Sequence, residues 1–325
     1  MLAFAGCSGL TSLTIPESVT SLGVNAFLGC SELTTVNFNA TNCSGPYYVN
    51  PVFAGCNKLT TLNIGNNVTN IPTHVFTGCT GLTSVTIPES VTSISQYAFS
   101  DCSSLTSLTI GNSVTEIGYE AFYNCRDLTL LTIGNSVTSI GSKAFCYCNS
   151  LTSLTIPNSV ISIGDNAFFL CSGLESVTIG NSVTEIGVEA FGKCSSLTSL
   201  TIGNSVTSIS RLAFDGCTSL TTITSEAINA PQLGASAFSG MANNIPVYVP
   251  CGSVNSYQNA WGSIFTNIQE TCAGVGIVET WHAASLRVVG YYSILGQKLP
   301  KEPESGTYII IYNDGTTEKK LKAKK

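Results

Sequence analysis

The chain has 325 residues, 43% of them hydrophobic and only 10% charged, with a formal net charge of −6. No run approaches the roughly 18 apolar residues of a membrane span, so the apolar side chains are expected to fill a dry interior, not a bilayer. With 13 Lys and Arg in the whole chain and no basic stripe, a nucleic-acid ligand is not expected.

The chain opens MLAFAGCSGL. The small pair before Cys7 has the look of a lipoprotein signal, but no Lys or Arg precedes it, and the apolar stretch is too short for a leader. Phe-Ala-Gly-Cys then recurs at Phe53–Cys56. Phe-x-x-Cys units place cysteines at 7, 30, 56, 79, 102, 125, 148, 171, 194 and 217, every step being 23 residues except the 26 from Cys30 to Cys56. The full unit is C-x-x-L-x-x-L-x-I-[PG]-[NE]-x-V-x-x-I-x-x-x-A-F-x-x, as in CSSLTSLTIGNSVTEIGYEAFYN from Cys102 to Asn124. Such a unit cannot bury its apolar side alone and must stack on its neighbours. The array is entered in mid-repeat, so a signal peptide, an N-terminal cap and further repeats are expected in a longer parent.

Within one unit, Leu108 and Ile110 alternate with Ser107 and Thr109 at the period of a strand, and stacking turns these strands into a parallel sheet. Pro or Gly follows the last aliphatic (Pro16, Gly65, Pro88, Gly111, Gly134, Pro157, Gly180, Gly203) and bends the chain away. Val114 and Ile117 return to the core from the opposite wall as a second short strand. Ala121 and Phe122 close the coil in an expected helical turn. The expected fold is a mainly β repeat solenoid, a right-handed leucine-rich-repeat superhelix with a parallel sheet on one face and short strands or turns on the other. The longer unit near residues 39–50 (NATNCSGPYYVN) should protrude, with Tyr47 and Tyr48 exposed.

Ladder cysteines on neighbouring rungs point the same way, which disfavours bridging, and one ligand per rung makes a line, not the tetrahedron zinc requires. They are expected to be buried thiols acting as small hydrophobes. After Cys217 the pattern decays: LTTITS loses the last aliphatic, and AFSGM puts Met241 where Cys belongs. Trp261, Phe265 and Ile268, at helix-like spacing, suit a cap. Cys251 and Cys272 lie outside the ladder; a bridge between them would clamp the cap by about 3 kcal/mol, and two free thiols are the equal alternative. The expected divisions are repeats over 1–224, a degenerate repeat and cap over 225–272, and a β-rich tail over 273–325. The tail differs in charge as well, with eight Lys and Arg against five Asp and Glu in residues 275–325.

The ten shared units resemble the BspA-like branch of the leucine-rich repeats. YYSILGQKLPKEPESGTYIIIYNDGTTEKKLKAKK, from Tyr291, resembles the C-terminal sorting domain of type IX secretion substrates, which implies contact with secretion machinery and a secreted or outer-surface location. In the resembled family such proteins are bacterial adhesins toward host and microbial ligands.

No cofactor or metal is expected, nor an enzyme. His74 and His282 lie far apart in the sequence without a nucleophile beside them, and His74 occupies a variable position expected at the surface. Two surfaces compete as ligand sites for a protein or glycan of host or neighbouring cells. One is the hydroxyl face of the strands, represented by Ser107, Thr109, Ser153 and Thr155 and interrupted by Leu130. The other gathers Tyr119, Tyr123, Tyr147, Phe169 and Leu170 around Phe-x-x-Cys, with Cys146 among them; such patches mark protein contacts. The alternative is a structural coat or spacer protein without a specific ligand.

Overall fold

The structure, a computed structural model, describes residues 2–46 and 50–272, together with the strands 288–293, 298–299, 306–312 and 317–322. The chain divides into two units, residues 1–270 and 271–325. The second contains a four-stranded antiparallel sheet in the order Lys298–Leu299, Val288–Ser293, Gly306–Tyr312, Thr317–Lys322. Leu295, Gly296 and Gln297 of the sorting-type motif lie outside the described residues, as do His282, Tyr47 and Tyr48.

The first unit is the expected mainly β solenoid. Its interior is organised by phenylalanine: one ring per rung stacks on the next from Phe4 to Phe238, with centroids 5.0–5.7 Å apart and planes nearly parallel. Such an offset stack adds to the area that each ring already buries. Around it pack the repeating aliphatics, so Leu108, Val114, Ile117 and Phe122 are each fully buried.

Each rung carries a strand on one face and, from the third rung, a two-residue strand on the opposite wall. The first face is divided into three parallel sheets. They begin at Ser12–Ile15, Ser84–Ile87 and Ser153–Thr155, and no ladder joins Thr61–Ile64 to Ser84–Ile87 or Leu130–Thr132 to Ser153–Thr155. The opposite wall is one sheet of eight strands from Asn70–Ile71 to Gln232–Leu233.

A proline stands where each sheet begins. On some rungs the residue after the strand donates its N–H to the preceding rung, as Asn39 does to Ile15 O (2.9 Å), Gly65 to Phe38 O (2.8 Å) and Glu226 to Ile202 O (2.8 Å). Proline has no such donor. Pro16, Pro88 and Pro157 follow the first strands of the three sheets, and Pro72 follows the first strand of the eight-stranded wall. Glycine does the reverse: a Cβ on Gly134 would run into the carbonyl oxygen of Gly111 below it.

The coil closes differently from the expectation. Gly118–Ala121 and Phe122–Cys125 are not helical but two tight turns; the first is closed by an i to i+3 hydrogen bond from Ala121 N to Gly118 O (3.3 Å), and the counterpart of the second on the preceding rung by one from Cys102 N to Phe99 O (3.3 Å). The third residue of each is left-handed, Glu120 at φ 50° and Asn124 at φ 60°, the pattern of a type II turn. A helix is ruled out because the N–H groups between these closures, those of Glu120, Phe122 and Asn124, bond the next rung.

At the far end the helix Val254–Trp261 covers the last rungs with Tyr257 and Trp261 fully buried. Trp261 donates its indole N–H to Pro231 O at 2.9 Å. The expected helical run from Trp261 to Ile268 is corrected: Gly262 ends the helix, Phe265 packs from the following turn, and Ile268 lies on the strand Asn267–Thr271. The described part of the long unit does not protrude either, since Ala40, Cys43 and Pro46 are buried.

Candidate functional site

The two tight turns build the aromatic corner. The left-handed column of the second turn is filled by glycine on several rungs but by Tyr147 (φ 64°) and Leu170 (φ 59°) on others, and that of the first turn holds Tyr97 (φ 57°), a conformation costing a side-chain-bearing residue about 1–2 kcal/mol. The expected aromatic group resolves into two contacts. Tyr97 meets Tyr119 edge to face at 5.3 Å, and Tyr123 meets Tyr147 in the same way at 5.5 Å. Tyr119 is 36% exposed, while Tyr123, Tyr147, Phe169 and Leu170 are half-buried and Cys146 is buried. Phe169 leans over Gly192, its ring 3.0 Å from where a Cβ would stand.

Lys143 joins this corner, donating to Tyr119 Oη at 3.4 Å and pairing with Glu120 Oε1 at 3.3 Å. Its ammonium also stands 5.7 Å from the Tyr119 ring centre, within cation–π range. The Tyr119 hydrogen bond and the Glu120 carboxylate hold the Lys143 pKa above its ordinary value, and burial raises those of Tyr97 and Tyr123. The phenols are therefore neutral donors at physiological pH.

His74 corrects the surface expectation. It is 3% exposed and stacks on Tyr97 with ring centres 4.4 Å apart. Burial lowers its pKa, opposed by the Glu120 charge. It is a packed, neutral side chain with Thr77 Oγ1 at 3.5 Å from Nδ1.

On the strand face, Ser153 and Thr155 are exposed and Ser107 and Thr109 half-exposed, with Leu130 58% exposed between them. Threonines at the strand entrances turn inward on the ladder instead: Thr106 Oγ1 donates to Thr83 O (2.9 Å) and Thr129 Oγ1 to Thr106 O (3.0 Å).

Where the strands bend away, a column of amides runs across the rungs. Asn135 N–H donates to Asn112 Oδ1 (3.0 Å), Asn181 N–H to Asn158 Oδ1 (2.8 Å) and Asn204 N–H to Asn181 Oδ1 (2.9 Å). Glu89 stands in place of asparagine on its rung and accepts from Asn112 N (2.7 Å). Two grooves open beside this column. One of about 630 Å³ is lined by residues including Thr86, Glu89, Ser90, Thr109, Asn112 and Asn135. Another of about 360 Å³ is lined by residues including Asn135, Thr155, Asn158, Thr178, Asn181 and Glu226. Sequence reasoning missed them, although the proline in place of glycine at 88 and 157 was a visible signal.

Cys7, on the first rung, is exposed, a correction to the buried ladder, and the other ladder cysteines are spent internally. Cys125 Sγ donates to Phe99 O at 3.4 Å, Cys171 to Phe145 O at 3.3 Å and Cys217 to Phe191 O at 3.3 Å, while Phe99 O also accepts the N–H of Cys102. Burial pushes the Cys102 and Cys217 thiols up to about 12, far from the thiolate that reacts or binds metal. Cys251 and Cys272 are disulfide-bonded, whereas the other twelve cysteines are free.

The fold and these surfaces define a leucine-rich-repeat protein of the interaction type. The profile described as BspA type leucine rich repeat region matches in six copies, over residues 1–129, 49–172 and 115–245, and the chain belongs to that family. Among solved structures it is similar to the T. pallidum leucine-rich-repeat protein TpLRR, at 25% identity over 58% of this chain and 78% of that one (TM-score 0.42). It is also similar to a leucine-rich cell surface protein from Faecalibacterium prausnitzii, at 27% identity over 82% and 80% (TM-score 0.39). A leucine-rich-repeat protein from Bacteroides ovatus matches at 24% identity over 82% and 93% (TM-score 0.30). No curated protein matches the chain.

Proposed function

We propose that the protein is a non-enzymatic, adhesin-like binding protein, secreted or held at the outer cell surface, that recognises proteins or glycans of host or neighbouring cells. The observation that carries this reading is the aromatic corner. Tyrosines on neighbouring rungs touch edge to face and stay partly open to solvent beside Lys143, Phe169 and Leu170. Half-buried tyrosines beside a cation are the residues that dominate protein interfaces. The Cys251 and Cys272 disulfide and a terminal segment resembling a secretion-sorting tail are consistent with export. No helix among the described residues is long and apolar enough to cross a membrane.

Biolayer interferometry of the full chain against fibronectin, fibrinogen and mucin tests the reading. Saturable binding that falls at least tenfold in the combined Tyr119→Ala, Tyr123→Ala, Tyr147→Ala and Phe169→Ala variant supports it. Binding to none of them, with the fold intact by circular dichroism, favours a coat or spacer protein.

A further inference from the structure

The two grooves at the rim of the strand face have the same construction. Adding 69 to Asn66, Thr86, Pro88, Glu89, Thr109 and Asn112 of the first gives Asn135, Thr155, Pro157, Asn158, Thr178 and Asn181 of the second. The offset is three 23-residue rungs, and Asn135 belongs to both. Each groove sits at a rung where proline has interrupted the sheet. The amide column is interrupted there too: among the described residues no hydrogen bond links Glu89 to Asn66 or Asn158 to Asn135, and the Asn135 side chain makes none at all. At the proline rung of each groove a buried serine hydroxyl, Ser90 Oγ and Ser159 Oγ, has no partner. A buried hydroxyl without a partner is costly, and its occurrence at both equivalent places marks the same break in the rung-to-rung hydrogen bonding.

We propose that these grooves are one site built twice, and that together they bind a single linear, neutral glycan laid across the rungs. The proposal rests on the binding-protein reading but uses a different surface from the aromatic corner. The exposed polar groups are amides and hydroxyls, with one carboxylate in each groove, Glu89 and Glu226. Residues 1–274 carry 5 of the 13 basic and 14 of the 19 acidic residues, so their net charge of −9 opposes a polyanion. Period decides between glycan and peptide. Rungs repeat at about 4.8 Å, while an extended peptide advances about 3.3 Å per residue and drifts out of register. An extended chain of equatorially linked hexopyranoses advances per residue by nearly one rung, so successive sugars, alternately turned over, stay in step with the threonine and asparagine columns.

Titration calorimetry of the full chain with β-1,4-linked glucose and N-acetylglucosamine oligomers of increasing length tests this. Oligomers long enough to reach both grooves, about 14 Å apart, should bind about a hundredfold tighter than short ones, as two linked contacts do. Thr109→Arg or Thr178→Arg, each at an outward strand position, should return long oligomers to the affinity of short ones; Asn135→Ala should weaken both. The aromatic-corner variant should leave this titration unchanged, so a native chain that binds the oligomers but none of the glycoproteins refutes the corner and spares the grooves. Affinity independent of length, indifference to both arginine variants, or preference for an extended peptide would overturn the proposal.

Discussion

Both faces of the coil are made of short strands repeated every rung, yet one is cut into three sheets and the other runs unbroken through eight strands. The hydrogen-bonding potential of the two is alike, and the difference lies in the residue that follows each strand. On the opposite wall it is Gly118, Gly141, Gly164 and Gly187, with Ser95 and Ser210, all of which donate to the rung before, as Gly141 N does to Ile117 O at 2.8 Å. On the strand face proline enters every third rung over Pro88 and Pro157. A solenoid is held together by its core whether or not every ladder closes, so the ladder is free to be opened where a groove is useful.

The comparison breaks most severely if proline is placed in the unbroken wall. Gly141→Pro removes the donor to Ile117 O and puts a Cβ 2.7 Å from the Gly118 carbonyl carbon. Loss of about 3 kcal/mol is expected, read as a lower denaturation midpoint, with faster amide exchange confined to the rungs around 117–163. A uniform loss of protection would show that the walls do not fail locally. Gly134→Ala should cost less, about 1–3 kcal/mol, because the clash with Gly111 O can be relieved by a small separation of two rungs. Unchanged thermal stability in that variant would mean that rung spacing is looser than the glycine column implies.

The solenoid was legible because its signals repeat. Leu108 and Ile110, Ile117 and Phe122 recur with equivalents on nearly every rung, and a burial pattern stated that often admits one stacking. The left-handed turns were harder, since Tyr147, Leu170 and Lys193 share a column whose meaning is carried by Gly78, Gly216 and Asn124 on other rungs. His74 occupies a column that also holds Asn25 and Glu120; its burial comes from Tyr97 stacking on it, a contact between rungs that spacing within one unit does not contain. The grooves escaped notice because proline and glycine both end a strand.

Pro88→Gly sharpens the comparison from the other side at little net cost. The new N–H of residue 88 should donate toward Ile64 O, worth about 1 kcal/mol, offset by the greater freedom of the unfolded chain, about 0.4–1 kcal/mol. Stability should thus stay nearly unchanged while the amide at 88 gains exchange protection and the first groove loses glycan affinity. An amide at 88 that exchanges freely would show that something other than the missing donor separates these sheets.

The smallest effect expected is the pH response of His74. Its folded-state pKa lies below the ordinary value because burial disfavours the imidazolium, so the unfolded chain takes up the proton first. Its contribution is therefore full above the ordinary histidine value of about 6.5, declines as pH falls below it, and levels off beneath the lowered folded value. Among the described residues His74 is the only histidine, so His74→Gln should flatten the stability profile between pH 7 and the carboxylate range while leaving the acid limb intact. An unchanged slope there would mean that the ring already exchanges its proton in the folded coil, and that Tyr97 covers it less tightly than the 4.4 Å stack requires.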